Sequence, residues 1–306
     1  MKTRFRVFSL VMVLLAASAC ATAQTQTTGV SAGSANAAVN QLEAALTDAR
    51  ARGIDVLSPK FYKEAEASLV KAKQSLDKGS KISTINRYVS EGKASLDKAE
   101  EFSRISQTIL GETIVAREKA LQVGADQLGK PFMDVEKEYL NLTKAVENDN
   151  PSYAQKYASK VKASFQELEI MAIKNNALKD TREIMDAAEK GKVQKIAPTA
   201  YDEARQALEE ADRYIQENPY DAAGIAQQAA AAQLMARRLM VVADNSTQFK
   251  EMSPEAAALY LEGVMVQLSD AIETGEIRDQ EVEAQVNIMT GAVETLKRKN
   301  QTLDTE

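Results

Sequence analysis

Apolar residues in this chain recur at alternating spacings of three and four. Tyr62, Ala65, Leu69, Ala72 and Leu76 form one run, and Tyr201, Ala204, Leu208 and Ala211 repeat it 139 positions later. A weaker copy, Phe132, Val135, Tyr139, Leu142 and Val146, lies 70 positions after the first. This spacing is the stripe of an amphipathic helix packed on other helices. No β-branched run alternates over more than a few residues, and the polar faces are filled by good helix formers. The chain therefore reads as all-α. Leu69, Leu76, Leu96, Leu142, Leu208 and Ile215 are predicted core positions.

Proline and glycine set the boundaries. Pro59, Pro131, Pro151, Pro198, Pro219 and Pro254 each stand where the periodicity restarts, as suits a residue favoured in the first helical turn and costing about 3 kcal/mol inside a helix. Ser58, Asn150, Asn218 and Ser253 precede four of them as candidate N-caps, while Ala197 is a poor cap. Gly53, Gly79, Gly124, Gly191 and Gly275 fall just past periodic stretches, where helices stop. These signals predict helices near 37–52, 59–78, 82–123, 131–148, 151–190, 198–217, 219–249, 254–274 and 278–300. Two of these are about twice the length of their neighbours. The alternation suits tandem three-helix repeats of about 70 residues, the third helix of each continuing into the first of the next, a spectrin-like plan. It divides the body into repeats at 35–102, 103–172 and 173–249, followed by a helical hairpin at 250–306. Long helices passing through Ser103 and Ala172 predict an elongated body. Gly92, Gly111 and Gly224 lie inside predicted helices, where each marks either a crowded helix crossing or a hinge.

The amino terminus follows different rules. Lys2, Arg4 and Arg6 precede an uncharged apolar run, Val7–Ala19, too short to span a bilayer. That is the layout of a secretory signal peptide. Ala17-Ser18-Ala19-Cys20 resembles the lipobox of bacterial lipoproteins, with Ala17 where Leu is usual. The resemblance implies cleavage of residues 1–19 and lipidation of Cys20; cleavage after Ala21-Thr22-Ala23 is the alternative. Cys20 is the single cysteine, so its presence at the lipobox alone is self-explanatory in an oxidising compartment. Ala21, in place of the Asp associated with inner-membrane retention, points to the outer membrane and a periplasmic body. Residues 20–34 are small, polar and uncharged, and read as a flexible tether. Removing Lys2, Arg4 and Arg6 takes the formal charge from -6 to -9. An acidic body argues against a nucleic-acid partner.

Chemistry is hard to find. The chain has no histidine and no tryptophan, so the commonest general base and metal ligand is missing. No catalytic, cofactor or metal residues are assigned, and a non-enzymatic protein is expected. Three features are weighed as sites. Glu147-Asn148-Asp149-Asn150 could be a cation loop, but it lacks the glycine and terminal glutamate of an EF-hand. Lys297-Arg298-Lys299 is either a basic patch or a cluster answering the dipole of a helix C-terminus. Tyr62, Phe132 and Tyr201 share one repeat position, as a recognition row or as packed contacts.

The stretch Leu57–Leu110, with SPxxYxxAExxLxxAKxxLxxG and then EGKxSLxKAEE, resembles the uncharacterised helical-repeat lipoprotein domain often found ahead of an OmpA-like domain. Lys195–Val242, with IAPxxYxxAxxxLxxAxxYIxxNPYD and then MARRLM, resembles a later part of the same region. In such relatives the region resembles a spacer between the outer membrane and a peptidoglycan-binding module. Nothing after Asn300 could make that module, so peptidoglycan binding is not carried over. Two readings follow: a lipid-anchored structural spacer or scaffold of the envelope, or a helical module presenting a groove to an envelope protein, peptide or glycan. A large exposed apolar groove would favour the second.

Overall fold

The computed structural model describes residues 27–303, and within them the chain forms ten α-helices and no strand. These are α1 (Thr27–Ala51), α2 (Ile54–Leu57), α3 (Pro59–Asp77), α4 (Ile82–Gln122), α5 (Lys130–Glu147), α6 (Pro151–Lys190), α7 (Pro198–Glu217), α8 (Ala222–Glu251), α9 (Pro254–Ala271) and α10 (Val282–Leu303). Two short 3₁₀ turns, Ala125–Leu128 and Val193–Lys195, lead into α5 and α7. Cys20 and the predicted leader lie outside the described residues. Helix α1 begins earlier than the periodicity suggests, at Thr27, and so takes in the end of the expected tether. Its buried Ala35, Val39 and Leu42 give it a docked face from which it extends back.

The two long helices run unbroken, α4 over 41 residues through Phe102-Ser103 and α6 over 40 through Met171-Ala172. Most ends match the proline and glycine signals. At Gly79 the backbone turns left-handed at φ 62°. Gly79 N–H then donates to Leu76 O and Ser80 N–H to Ser75 O, closing α3 with a Schellman motif. Asn150 and Ser253 cap α6 and α9, accepting from Tyr153 N and Ala256 N. Three expectations are corrected. Pro219 does not open α8: it lies in a turn, and Asp221 is the cap, accepting from Gly224 N at 3.1 Å. Asn218 instead closes α7, its amide donating to Tyr214 O. At the end of α6 it is Lys192, not Gly191, that takes the left-handed conformation.

The described chain packs as two units, one reaching Gln122 and including Leu128–Gln166, the other formed by Val123–Gln127 and the residues from Glu167. In the first, α1, α3 and the leading half of α4 close one apolar core around Leu42, Tyr62, Ala65, Val89 and Leu96. Phe61 stacks on Phe102 at 5.1 Å, fixing α3 to α4. Beyond it, the trailing half of α4, α5 and the start of α6 meet around Tyr139, whose ring packs edge-on to Phe165 at 5.9 Å. Thr113 of α4 donates to Ala158 O of α6 at 3.1 Å, and Arg117 grips Glu136 with two bonds of 2.7 Å. In the second unit the rest of α6 packs with α7 and α8, around Leu178, Ala211 and Ile215 and around Ala204, Ala236 and Leu239.

The predicted helical phase holds. Leu96, Leu142 and Ile215 are buried, and Leu69, Leu76 and Leu208 are half-buried against cores. Gly92 sits at a crowded crossing, where a Cβ would stand 2.6 Å from Leu42 Cδ2 and 3.3 Å from Ser68 Cβ. Gly224 is crowded too, against Tyr214 and Asp221. Gly111 is not: nothing lies within 4 Å of its Cβ position, and α4 passes through it without interruption.

Candidate functional site

Among the described residues no group of three or more His, Cys, Asp or Glu side chains could hold a metal ion, and no helix is long and apolar enough to cross a membrane. The polar clusters have structural partners. Glu147, from the segment weighed as a cation loop, is 3% exposed at the end of α5 and turns to the start of α3. Its carboxylate accepts from Ser58 Oγ at 2.6 Å, from Lys60 N at 3.0 Å and from Phe61 N at 3.1 Å. Two orphan donors of the first turn of α3 are thereby satisfied, and the negative charge sits where the helix dipole favours it. Ser58 precedes Pro59 as predicted, yet its hydroxyl serves the carboxylate and makes no cap bond of its own. Asp149 supplies a left-handed turn and Asn150 the cap of α6. The loop is thus a helix junction.

The aromatic row also packs inward. Tyr62 is buried and donates to Leu46 O at 3.0 Å, Phe132 lies against Phe165, and Tyr201 packs on the core between α7 and α8. Burial pushes the phenols of Tyr62 and Tyr139 above their ordinary range. A second polar cluster lies between α6 and α7, where Lys174, Arg182 and Arg213 line a cavity of about 390 Å³. Asp212 lies among them, 2.7 Å from Lys174 Nζ and 2.8 Å from an Arg182 nitrogen, so Lys174 and Arg182 are answered within the protein.

The C-terminal hairpin is different. Helices α9 and α10 frame an open groove of about 380 Å³ lined by Met265, Leu268, Ile272, Val286, Met289 and Val293. Leu261, Val264, Val282 and Leu296 continue the apolar surface, and all four are exposed. Leu268 is 52% exposed and Leu296 47%. No large aliphatic side chain of α9 is fully buried. Elsewhere exposed apolar residues such as Val70 and Val115 stand on helices that also bury a full stripe. Here the stripe itself is open to water. At the edge of the hairpin Glu276 and Arg278 pair, and the guanidinium holds the carboxyl down at about 2.

Lys297, Arg298 and Lys299 belong to α10, which continues to Leu303 and has no basic residue in its last turn. Periodicity had marked the hairpin as helical but could not mark its face as uncovered. The available signal was the density of apolar residues from Leu259 to Leu268, wider than a single stripe. No family model, curated protein or solved structure matches the chain.

Proposed function

We propose that this chain is a non-enzymatic scaffold of the bacterial cell envelope that docks another helical surface through its C-terminal hairpin. The observation that carries the docking role is the open apolar groove between α9 and α10, continued by exposed Leu and Val on both helices. Helix-in-groove association needs such a face and little else: apolar anchors at helical spacing, with a polar rim. The reading requires no cofactor, metal or nucleic acid.

The lipobox-like run supports attachment to the outer membrane by lipid on Cys20, with the body in the periplasm. Three groups of three helices, in which α4 and α6 are each shared between two groups, support the plan of tandem repeats joined by continuous helices. The likeness to the helical-repeat lipoprotein domain fits that plan.

The test joins both ends. Cys20→Ala should abolish acyl labelling and release the protein from the membrane fraction. Leu268→Glu with Val286→Glu should abolish co-purification of envelope proteins while leaving the helical circular dichroism unchanged. An acylation-free wild type beginning at Gln24 would remove the anchor. Undiminished co-purification by the double variant would remove the docking role.

A further inference from the structure

The hairpin's exposed face carries its own indication of a partner. On α10, Val282, Val286, Val293 and Leu296 form the open apolar side, and Glu283, Thr290 and Lys297 follow its edge at intervals of seven residues. Seven residues are close to two turns, so these three lie in one line. An acid at one end of the line, a base at the other and a neutral residue midway make a self-complementary pattern. A second copy of α10 laid antiparallel, with the two-fold axis at Thr290, brings Glu283 of each copy opposite Lys297 of the other. A parallel pairing would set like charges together. Two-fold contacts of this isologous kind are the commonest in homo-oligomers, and flanking charges of this kind select partner and orientation in packed helices.

We infer that a second copy of this chain occupies the hairpin face, pairing through antiparallel α10 helices to form a four-helix bundle with both α9 helices. This rests on the docking reading above and names its occupant. The bundle covers Leu261, Leu268, Val286 and Val293 of each copy, and Met289 lies beneath them. It removes roughly 1,000 Å² from water over the two copies, near the least a biological interface needs. Thr290 stays next to its own counterpart, its hydroxyl already turned to Val286 O at 2.8 Å.

The full chain with Cys20→Ser, so that only introduced thiols can link, is suited to the test. Sedimentation equilibrium should show a monomer–dimer equilibrium that Leu268→Glu abolishes with unchanged circular dichroism. Glu283→Lys should weaken the dimer about tenfold, and adding Lys297→Glu should restore it, because the Glu283–Lys297 contact occurs twice. Thr290→Cys should form a disulfide-linked dimer on mild oxidation, and Thr295→Cys, on the opposite side of α10, should not. A chain monomeric up to about 100 µM overturns the inference, as does a dimer indifferent to Leu268→Glu or a charge reversal that fails to restore. If the chain stays monomeric while Leu268→Glu still costs it an envelope partner, the second-copy inference is wrong and the docking reading stands. Capture by phosphatidylglycerol vesicles without dimerisation overturns both in favour of a lipid surface.

Discussion

Helices α3 and α9 are of similar length, 19 and 18 residues, and both open with a serine followed by proline. Helix α3 buries Tyr62, Ala65 and Ala72 among α1 and α4, and even its first turn is covered by Glu147. Helix α9 is the more apolar by sequence, yet its one fully buried residue is Ser269. Its own N-cap bond, from Ala256 N to Ser253, comes from within the segment and is exposed. The difference teaches that apolar content and burial are separate quantities. A helix with a third and fourth neighbour spends its stripe on stability. One with fewer partners has a stripe left over, and that remainder is what another molecule can bind.

The contrast is sharpest for truncation of apolar side chains. Leu142→Ala, at a fully buried position, should destabilise by about 2–5 kcal/mol in denaturant unfolding. Leu268→Ala, half exposed, should cost less than about 1 kcal/mol in the monomer. Equal losses would mean that the hairpin is as well packed as the bundle.

The next largest effect concerns the junction at α3. Glu147→Ala leaves the Lys60 and Phe61 N–H groups and Ser58 without their acceptor, in a largely dry site. A loss of about 2–4 kcal/mol is expected. Ala197, the matching position before α7, has no such cross-helix cap and its Pro198 is exposed. Glu217, the matching residue at the end of α7, is exposed, so Glu217→Ala should be near neutral. A Glu147→Ala protein with wild-type unfolding would deny that the carboxylate stabilises the junction.

The two glycines of α4 have opposite signs. Gly92→Ala drives a methyl into Leu42 and should cost about 1–3 kcal/mol. Gly111→Ala meets open space and should stabilise by up to about 1 kcal/mol through helix propensity. Thermal unfolding of the two variants checks both at once, and destabilisation by Gly111→Ala would indicate a contact or bend at that position.

Much of the fold was legible because helix signals are local. The three-four spacing, the six prolines and the glycine stops located nearly every helix, and continuity at Ser103 and Ala172 followed from the lack of any stop. What failed locally was fine capping chemistry: Asn218 and Asp221 compete for one turn, and only the folded chain decides which caps which helix. What failed at long range was the Glu147 cap, since 89 residues separate it from Ser58 and no spacing rule links them. The same limit applies to Gly92 and Gly111, which look alike in sequence and differ only in what crosses them. The hairpin face escaped for a related reason. Periodicity shows which side of a helix is apolar, and only neighbours determine whether that side is covered.

The α9–α10 face, unlike isolated apolar residues elsewhere, is the proposed docking site of the chain. Site-specific photo-crosslinking in cells tests it most directly, with the probe at Leu268 in one strain and at Val70 in another. Both positions are 52% exposed and apolar, so they differ in surroundings and not in accessibility. A discrete crosslinked species is expected from Leu268 and only background from Val70. Equal yields from the two positions, or a species from Val70 alone, would contradict it.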